Sequence, residues 1–157
     1  MIIDFIGYLV IYKNTSIDIL HFMLRIDPML LREADVDGCL PIHYAVTAKS
    51  TTFCKQLIEA YPESLRSRAG VGWLPIHRAC AHGEGDDTAD IIQYMLEMEP
   101  ELINDEDSEG FLPIHYAAMY GRTKSIELLL KFDPNAASKK TNDGSRRLPL
   151  HIACGAY

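Results

Sequence analysis

The string Leu112-Pro113-Ile114-His115, set between Asp107, Gly110 and Ala117, Ala118, Gly121, decides the fold through its copies. As LPIH or LPLH it recurs at Leu40–His43, Leu74–His77 and Leu148–His151. Its prolines, Pro41, Pro75, Pro113 and Pro149, stand 34, 38 and 36 residues apart. The other four of the eight prolines are Pro28, Pro62, Pro100 and Pro134, each 13 residues before a motif proline, or 15 in the last case. All eight therefore occupy two sites of one repeating unit. Four extra residues in the second unit and two near Gly144 explain the uneven spacing. Self-similarity at such a period signals a stacked array rather than one closed core.

Each unit reads as helix, turn, helix and returning loop, an all-α pattern. The motif proline opens the inner helix, where its fixed φ suits the first helical position and its missing N–H costs nothing. The Ile-His-x-Ala that follows places a small residue where helices must approach closely. The outer helix carries apolar residues at i, i+3 and i+4: Ile91, Ile92, Met95 and Leu96 in one unit, Ile126, Leu129 and Leu130 in another. The second-series proline is expected to stop that helix, because the residue before a proline avoids the helical region. Gly38, Gly72 and Gly110, two residues before each Leu-Pro pair, supply a tight turn.

This pattern resembles the ankyrin repeat, whose signature runs Asp-x-x-Gly-x-Thr-Pro-Leu-His-x-Ala-Ala-x-x-Gly. Asp107, Gly110, Pro113, Ile114, His115, Ala117, Ala118 and Gly121 follow it in order. The resemblance covers about residues 16 to 157 and implies a single domain, an ankyrin-type helix-turn-helix repeat solenoid. Its units would be a degenerate one at 1–36, full repeats at 37–70, 71–108 and 109–143, and an incomplete one at 144–157. Thr15 to Asp27 matches Asp87 to Glu99, while Gly7 stands where a motif proline belongs. The last unit stops inside its first helix, which suggests a longer array or a partner over Ile152, Ala153 and Cys154. Leucine replaces the family's threonine at Leu40, Leu74, Leu112 and Leu148. Losing an N-cap hydroxyl costs about 1 kcal/mol, while burying a leucine returns roughly 1.5–3 kcal/mol. Lys49 replaces the glycine between the helices of the first full unit.

Four of the six histidines, His43, His77, His115 and His151, keep a fixed offset from the motif proline. One structural role, bonding backbone at the start of the inner helix, explains all four. Equivalent positions of packed helices lie about 10 Å apart, too far to share a metal ion. His77–Cys80 and His151–Cys154 are i, i+3 pairs, but both cysteines fall where the family has a second small Ala. Asp105, Asp107, Glu109 and Gly110 imitate the start of a calcium loop, yet Tyr116 stands where a bidentate glutamate is needed. No phosphate loop, Gly-x-Ser-x-Gly or His-Glu-x-x-His occurs. We expect no catalytic residue, metal or cofactor.

The chain of 157 residues, 48% hydrophobic and 24% charged, has the composition of a soluble globular protein. Met1 to Tyr12 is apolar but holds Asp4 and is too short to span a bilayer, so it reads as folded structure. A net charge of −7 argues against nucleic acid. Four cysteines without close pairing do not form a disulfide scaffold, and the expected compartment is the cytoplasm. Residues 81–110 hold eleven of the 22 acids and no Lys or Arg. That run is either a solvated face or a docking patch for a basic partner.

What the resemblance implies is protein–protein recognition: a non-enzymatic module or scaffold, with no membrane, nucleic acid or small-molecule substrate. The alternative is a regulatory or targeting segment of a larger enzyme. Carried over position by position, the family's contact sites fall first at Cys39, Trp73 and Phe111, before each Leu-Pro pair. Val71, Ser108 and Glu109 precede the turn glycines, and Ala81, His82, Met119 and Tyr120 end the inner helices. Trp73 and Phe111 are expected side by side, either as binding anchors or packed against the next loop. Asp107 and Glu109 would rim that surface and set the rate of encounter.

Overall fold

The computed structural model describes residues 17–48, 50–83 and 86–155; the Met1–Tyr12 stretch, Gly7 and Lys49 lie outside them. Among these residues the α-helices are α1 (Ile17–Ile26), α2 (Pro41–Ala48), α3 (Thr51–Ala60), α4 (Pro75–His82), α5 (Asp86–Met98), α6 (Pro113–Met119), α7 (Thr123–Phe132) and α8 (Pro149–Ala153). The motif-opened helices α2, α4, α6 and α8 stack in one row, and α3, α5 and α7 form a second row against it. Ile42, Ile76 and Ile114 from the inner row meet Leu57, Ile92, Met95, Leu96 and Leu129 from the outer row in one continuous core. Ala45, Ala79 and Ala117 are wholly buried, the small contact that Ile-His-x-Ala requires. Among the described residues there is no strand, only an isolated bridge between Ala69 and Trp73.

The second-series prolines do more than stop a helix. Each outer helix, and α1, ends two residues before one of them, and the proline then opens a 3-10 turn: Pro28–Arg32, Pro62–Arg66, Pro100–Asn104 and Pro134–Ser138. The intervening residue is driven to φ −153° at Asp27, −147° at Tyr61, −139° at Glu99 and −138° at Asp133. The same two properties act in sequence here. The ring excludes helix from the residue before it, and its fixed φ then starts a new turn.

Between these turns and the next inner helix the chain makes a narrow tip. The N–H of Asp35, Ala69 and Asp107 donates to the carbonyl four residues on, at Cys39, Trp73 and Phe111 (3.0–3.1 Å). In the last unit Thr141 donates to Arg147, six residues on, so the two-residue insertion lies in the tip. The four-residue insertion falls elsewhere: α5 has 13 residues where α3 and α7 have 10. Successive tips are tied by Gly70 N–H to Asp37 carbonyl (2.8 Å), Ser108 N–H to Val71 carbonyl (3.1 Å) and Asn142 N–H to Gly110 carbonyl (2.9 Å). Gly110, at φ +78°, allows the last of these. A Cβ there would stand 2.6 Å from the Asn142 carbonyl carbon, which as backbone cannot swing aside.

Candidate functional site

The motif histidines are positioned by the inner-helix start. The Nδ1 of His43, His77, His115 and His151 accepts the backbone N–H of Leu40, Leu74, Leu112 and Leu148, three residues back, at 3.0–3.1 Å. Nδ1 being an acceptor puts the proton on Nε2. That N–H then donates to the carbonyl of Ser67, Asp105 and Lys139 for the first three, at 3.0–3.1 Å. These three imidazoles are fully buried, and burial lowers their pKa; His77 is pushed down to about 4. His151 keeps only the first bond and is exposed. Leu40, Leu74 and Leu112, where the family has threonine, are buried and offer no side-chain acceptor at the helix start.

The residues assigned to partner contact divide into two groups. Val71 (48% exposed), His82 and Tyr120 (44%) stand open, with Ser108 and Glu109 exposed at the third tip and Met119 half-buried. The Trp73 ring lies 5.5 Å from His82, and His82 lies 5.4 Å from Tyr120, so three rings run in one strip across α4 and α6. Burial, and then the charges of Arg78 and Arg122, hold His82 below the usual histidine value. Phe111 and Asp107 are buried, each 7% exposed: of its two expected roles Phe111 takes the packed one, and Asp107 is not the rim charge expected of it.

Tyr116 is the reason. Its ring stands edge-on to Trp73 at 4.6 Å and tilted against Phe111 at 5.6 Å, so it links the two rings expected to be neighbours. Its hydroxyl accepts the Trp73 indole N–H at 2.9 Å and donates to Asp107 Oδ2. Asp107 Oδ1 takes the N–H of Glu109 and Phe111, both at 2.9 Å. Asp107 is thus the buried keystone of its own tip rather than a rim charge. Trp73, half-buried, anchors one unit to the next through Tyr116.

The acidic run also disperses. Arg66 pairs with Glu99 and Asp105 across two units, and Arg68 lies 3.6 Å from Asp105. Asp90 and Glu97 sit on the outer helix α5, away from the ring strip. Of the run, Glu106 and Glu109 remain at a shallow recess between the third and fourth tips, where Asp143 and Arg147 of the fourth tip also lie. Among the described residues no group of His, Cys, Asp and Glu is arranged to hold a metal ion, and no helix is long and apolar enough to cross a membrane.

The position after each motif histidine, held by Tyr44, Arg78, Tyr116 and Ile152, is not among the contact sites that the resemblance implies. Its signal was variation. In a motif otherwise constant, one column changes from ring to cation to ring. Tyr44 and Tyr116 make the same bond, each to the aspartate nine residues back, Asp35 and Asp107. Arg78 has Ala69 nine residues back, which offers no side-chain acceptor, and reaches Cys39 and the Tyr44 ring instead.

Stacked helix-turn-helix units, joined by glycine tips and stapled by a buried histidine, define a helical repeat solenoid. A family model described as ankyrin repeats (3 copies) matches residues 76–157, just over half of the chain, and the protein belongs to the ankyrin repeat family. The match begins inside the second copy of the motif, and the first copy at Leu40–His43 precedes it. A stretch of 75 residues is also 30% identical to the tyrosine-protein kinase Shark of Drosophila melanogaster; it makes up 48% of this chain and only 8% of that protein.

Proposed function

We propose that the chain is a protein–protein interaction module without catalytic chemistry of its own, taking its partner on the inner-helix face and the tips beside it. One observation carries this: the half-buried Trp73 ring meets the exposed His82, which meets the exposed Tyr120 ring, and the exposed Val71 lies beside Trp73 at the neighbouring recess. Open rings and apolar side chains set beside polar tips are the composition of a binding surface. A solenoid supports this use, since each unit contacts only its neighbours and the array presents a long face rather than an enclosed cavity. Glu106 and Glu109 at the third tip suit a basic segment of the partner at that end, where they would speed encounter at low salt. Three buried cysteines outside any disulfide, Cys39, Cys54 and Cys80, fit a reducing compartment such as the cytoplasm.

The likeness to part of a tyrosine kinase favours a second reading, in which this module regulates or targets a catalytic domain carried elsewhere in a longer protein. Both readings use the same face. Baits of the full chain, wild type, Tyr120→Asp and the outer-helix control Glu97→Lys, would be compared for the proteins they retain. We expect proteins held by wild type and Glu97→Lys and lost from Tyr120→Asp. Retention of the same set by all three would move the binding site off this face.

A further inference from the structure

We propose that the recess between the first two tips receives an acidic side chain of a partner peptide, with the Arg78 guanidinium as its receptor and the Val71–Trp73 wall covered by an adjoining aliphatic residue. The inference rests on the inner-helix face being the binding face and names the chemistry it selects. The recess, of about 240 Å³, is lined by Cys39, Tyr44, Val71, Trp73 and Arg78, so a cation sits among apolar walls.

Arg78 stands where the repeat breaks its own rule. In the first and third units an Asp at the start of the tip is bonded by a Tyr on the inner helix, Asp35 by Tyr44 and Asp107 by Tyr116. In the second unit both partners are replaced, the acid by Ala69 and the ring by Arg78. A guanidinium carries five N–H donors in a planar fork suited to a carboxylate. One of them meets the Cys39 sulfur at 3.0 Å, a weak acceptor, and the plane rests 4.6 Å from the centre of the Tyr44 ring. Arg66, Arg68 and Arg147 each pair with a carboxylate; among the described residues Arg78 pairs with none.

The nearby acids do not fill the role. Asp35 Oδ1 takes the N–H of Asp37 (2.9 Å) and Cys39 (2.8 Å), and Oδ2 takes the Tyr44 hydroxyl. Asp37 rims the recess with an exposed side chain, and its charge favours a singly charged carboxylate over a doubly charged phosphate. On the far side, Arg122 donates to the Ala81 carbonyl, adding positive charge at the end of α4. A carboxylate reaching Arg78 would complete a bidentate pair in a partly dry setting, where such pairs are strongest.

The test pans random dodecapeptides displayed on phage against the full 157-residue chain and titrates the enriched peptides, fluorescein-labelled, by anisotropy. We expect an Asp or Glu beside an aliphatic residue in the selected peptides. Replacing that acid by its amide should weaken binding about ten-fold on the wild type and leave binding to Arg78→Gln unchanged. Arg78→Lys should retain only part of the preference, since it keeps the charge without the fork. Val71→Asp, on an exposed side chain that leaves the fold untouched, should repel the acidic peptide more than its amide and serves if Arg78→Gln fails to fold. Peptides lost from Tyr120→Ala but indifferent to both the amide exchange and Val71→Asp would overturn the carboxylate receptor while leaving the binding face standing. Failure to enrich any peptide, or peptides indifferent to Tyr120→Ala and to Arg78→Gln, would overturn the face itself.

Discussion

Protonating the buried imidazole of His77 would convert Nδ1 from acceptor to donor and set it against the Leu74 N–H. Burial opposes the charge as well, and together with the environment holds the group down to about 4, against the upward pull of Asp107 and the Asp105 carbonyl. His43 and His115 are lowered in the same direction, with burial again the largest cause. In the unfolded chain these groups take up protons near the ordinary value of 6.5. Between 6.5 and about 4 the unfolded state therefore binds more protons, so stability is full above that window and falls as the pH drops through it. His77 alone accounts for up to about 3 kcal/mol of that loss. Asp133 and Asp143, held low by bonds from Lys139 and from Ser145, stay ionised across the window and do not confuse it. Urea midpoints at several pH values from 7.5 to 4.5 check this. A flat midpoint down to pH 4.5 would refute the neutral, doubly bonded histidine.

At the scale of an element, the tip at Asp107–Phe111 is fixed to α6 by one hydroxyl. Tyr116→Phe removes the donor to Asp107 Oδ2 and the acceptor of the Trp73 indole at once. We expect a loss of about 1–3 kcal/mol, because a buried carboxylate oxygen is left without a partner. Tyr44→Phe breaks the same bond to Asp35 where both residues are half-exposed, and should cost less. Equal urea-midpoint shifts for the two would show that burial is not what gives the bond its weight. These two tyrosines also show what a sequence can and cannot reveal. Pro75, His77 and Gly72 were legible because one geometry demands the same residue in unit after unit. Tyr116 follows the motif at a position that varies, and its role depends on an aspartate nine residues away. Asp107 was misplaced for a related reason. The signature marks its place, but in a run of eleven acids over thirty residues its charge reads as surface, and only its bonds to Glu109, Phe111 and Tyr116 show it buried at the tip. The 3-10 turns were missed because proline's power to end a helix hid its power to begin a turn.

Across the whole molecule, stability is a sum of unit and neighbour terms, so it need not be uniform along the array. Helices α4 to α6 have neighbours on both sides and hold most of the wholly buried side chains, among them Ile76, Ile92, Met95 and Ile114. Helix α1 buries Leu20 alone and leaves Phe22 and Ile26 mostly exposed. Amide hydrogen exchange followed by mass spectrometry should therefore show slow exchange in α4–α6 and fast exchange in Ile17–Ile26. Protection in α1 equal to that in α6 would count against nearest-neighbour stability.

The histidine staple joins the inner-helix start to the segment entering the next tip over 24 residues for His43 and His115, and over 28 for His77. The bond lengths hardly differ among them, although the second unit is four residues longer. Pitch and contour length are thus uncoupled. The chain can lengthen on its outer side, as α5 does, while the spacing of the inner row stays set by three imidazole bridges. Such an array acts as a gauge with fixed graduations: residues added to α3, α5 or α7 would leave the distance between Trp73 and Tyr120 as it is. Variation among outer helices is then free to adjust solubility or a second surface without disturbing what the inner face recognises.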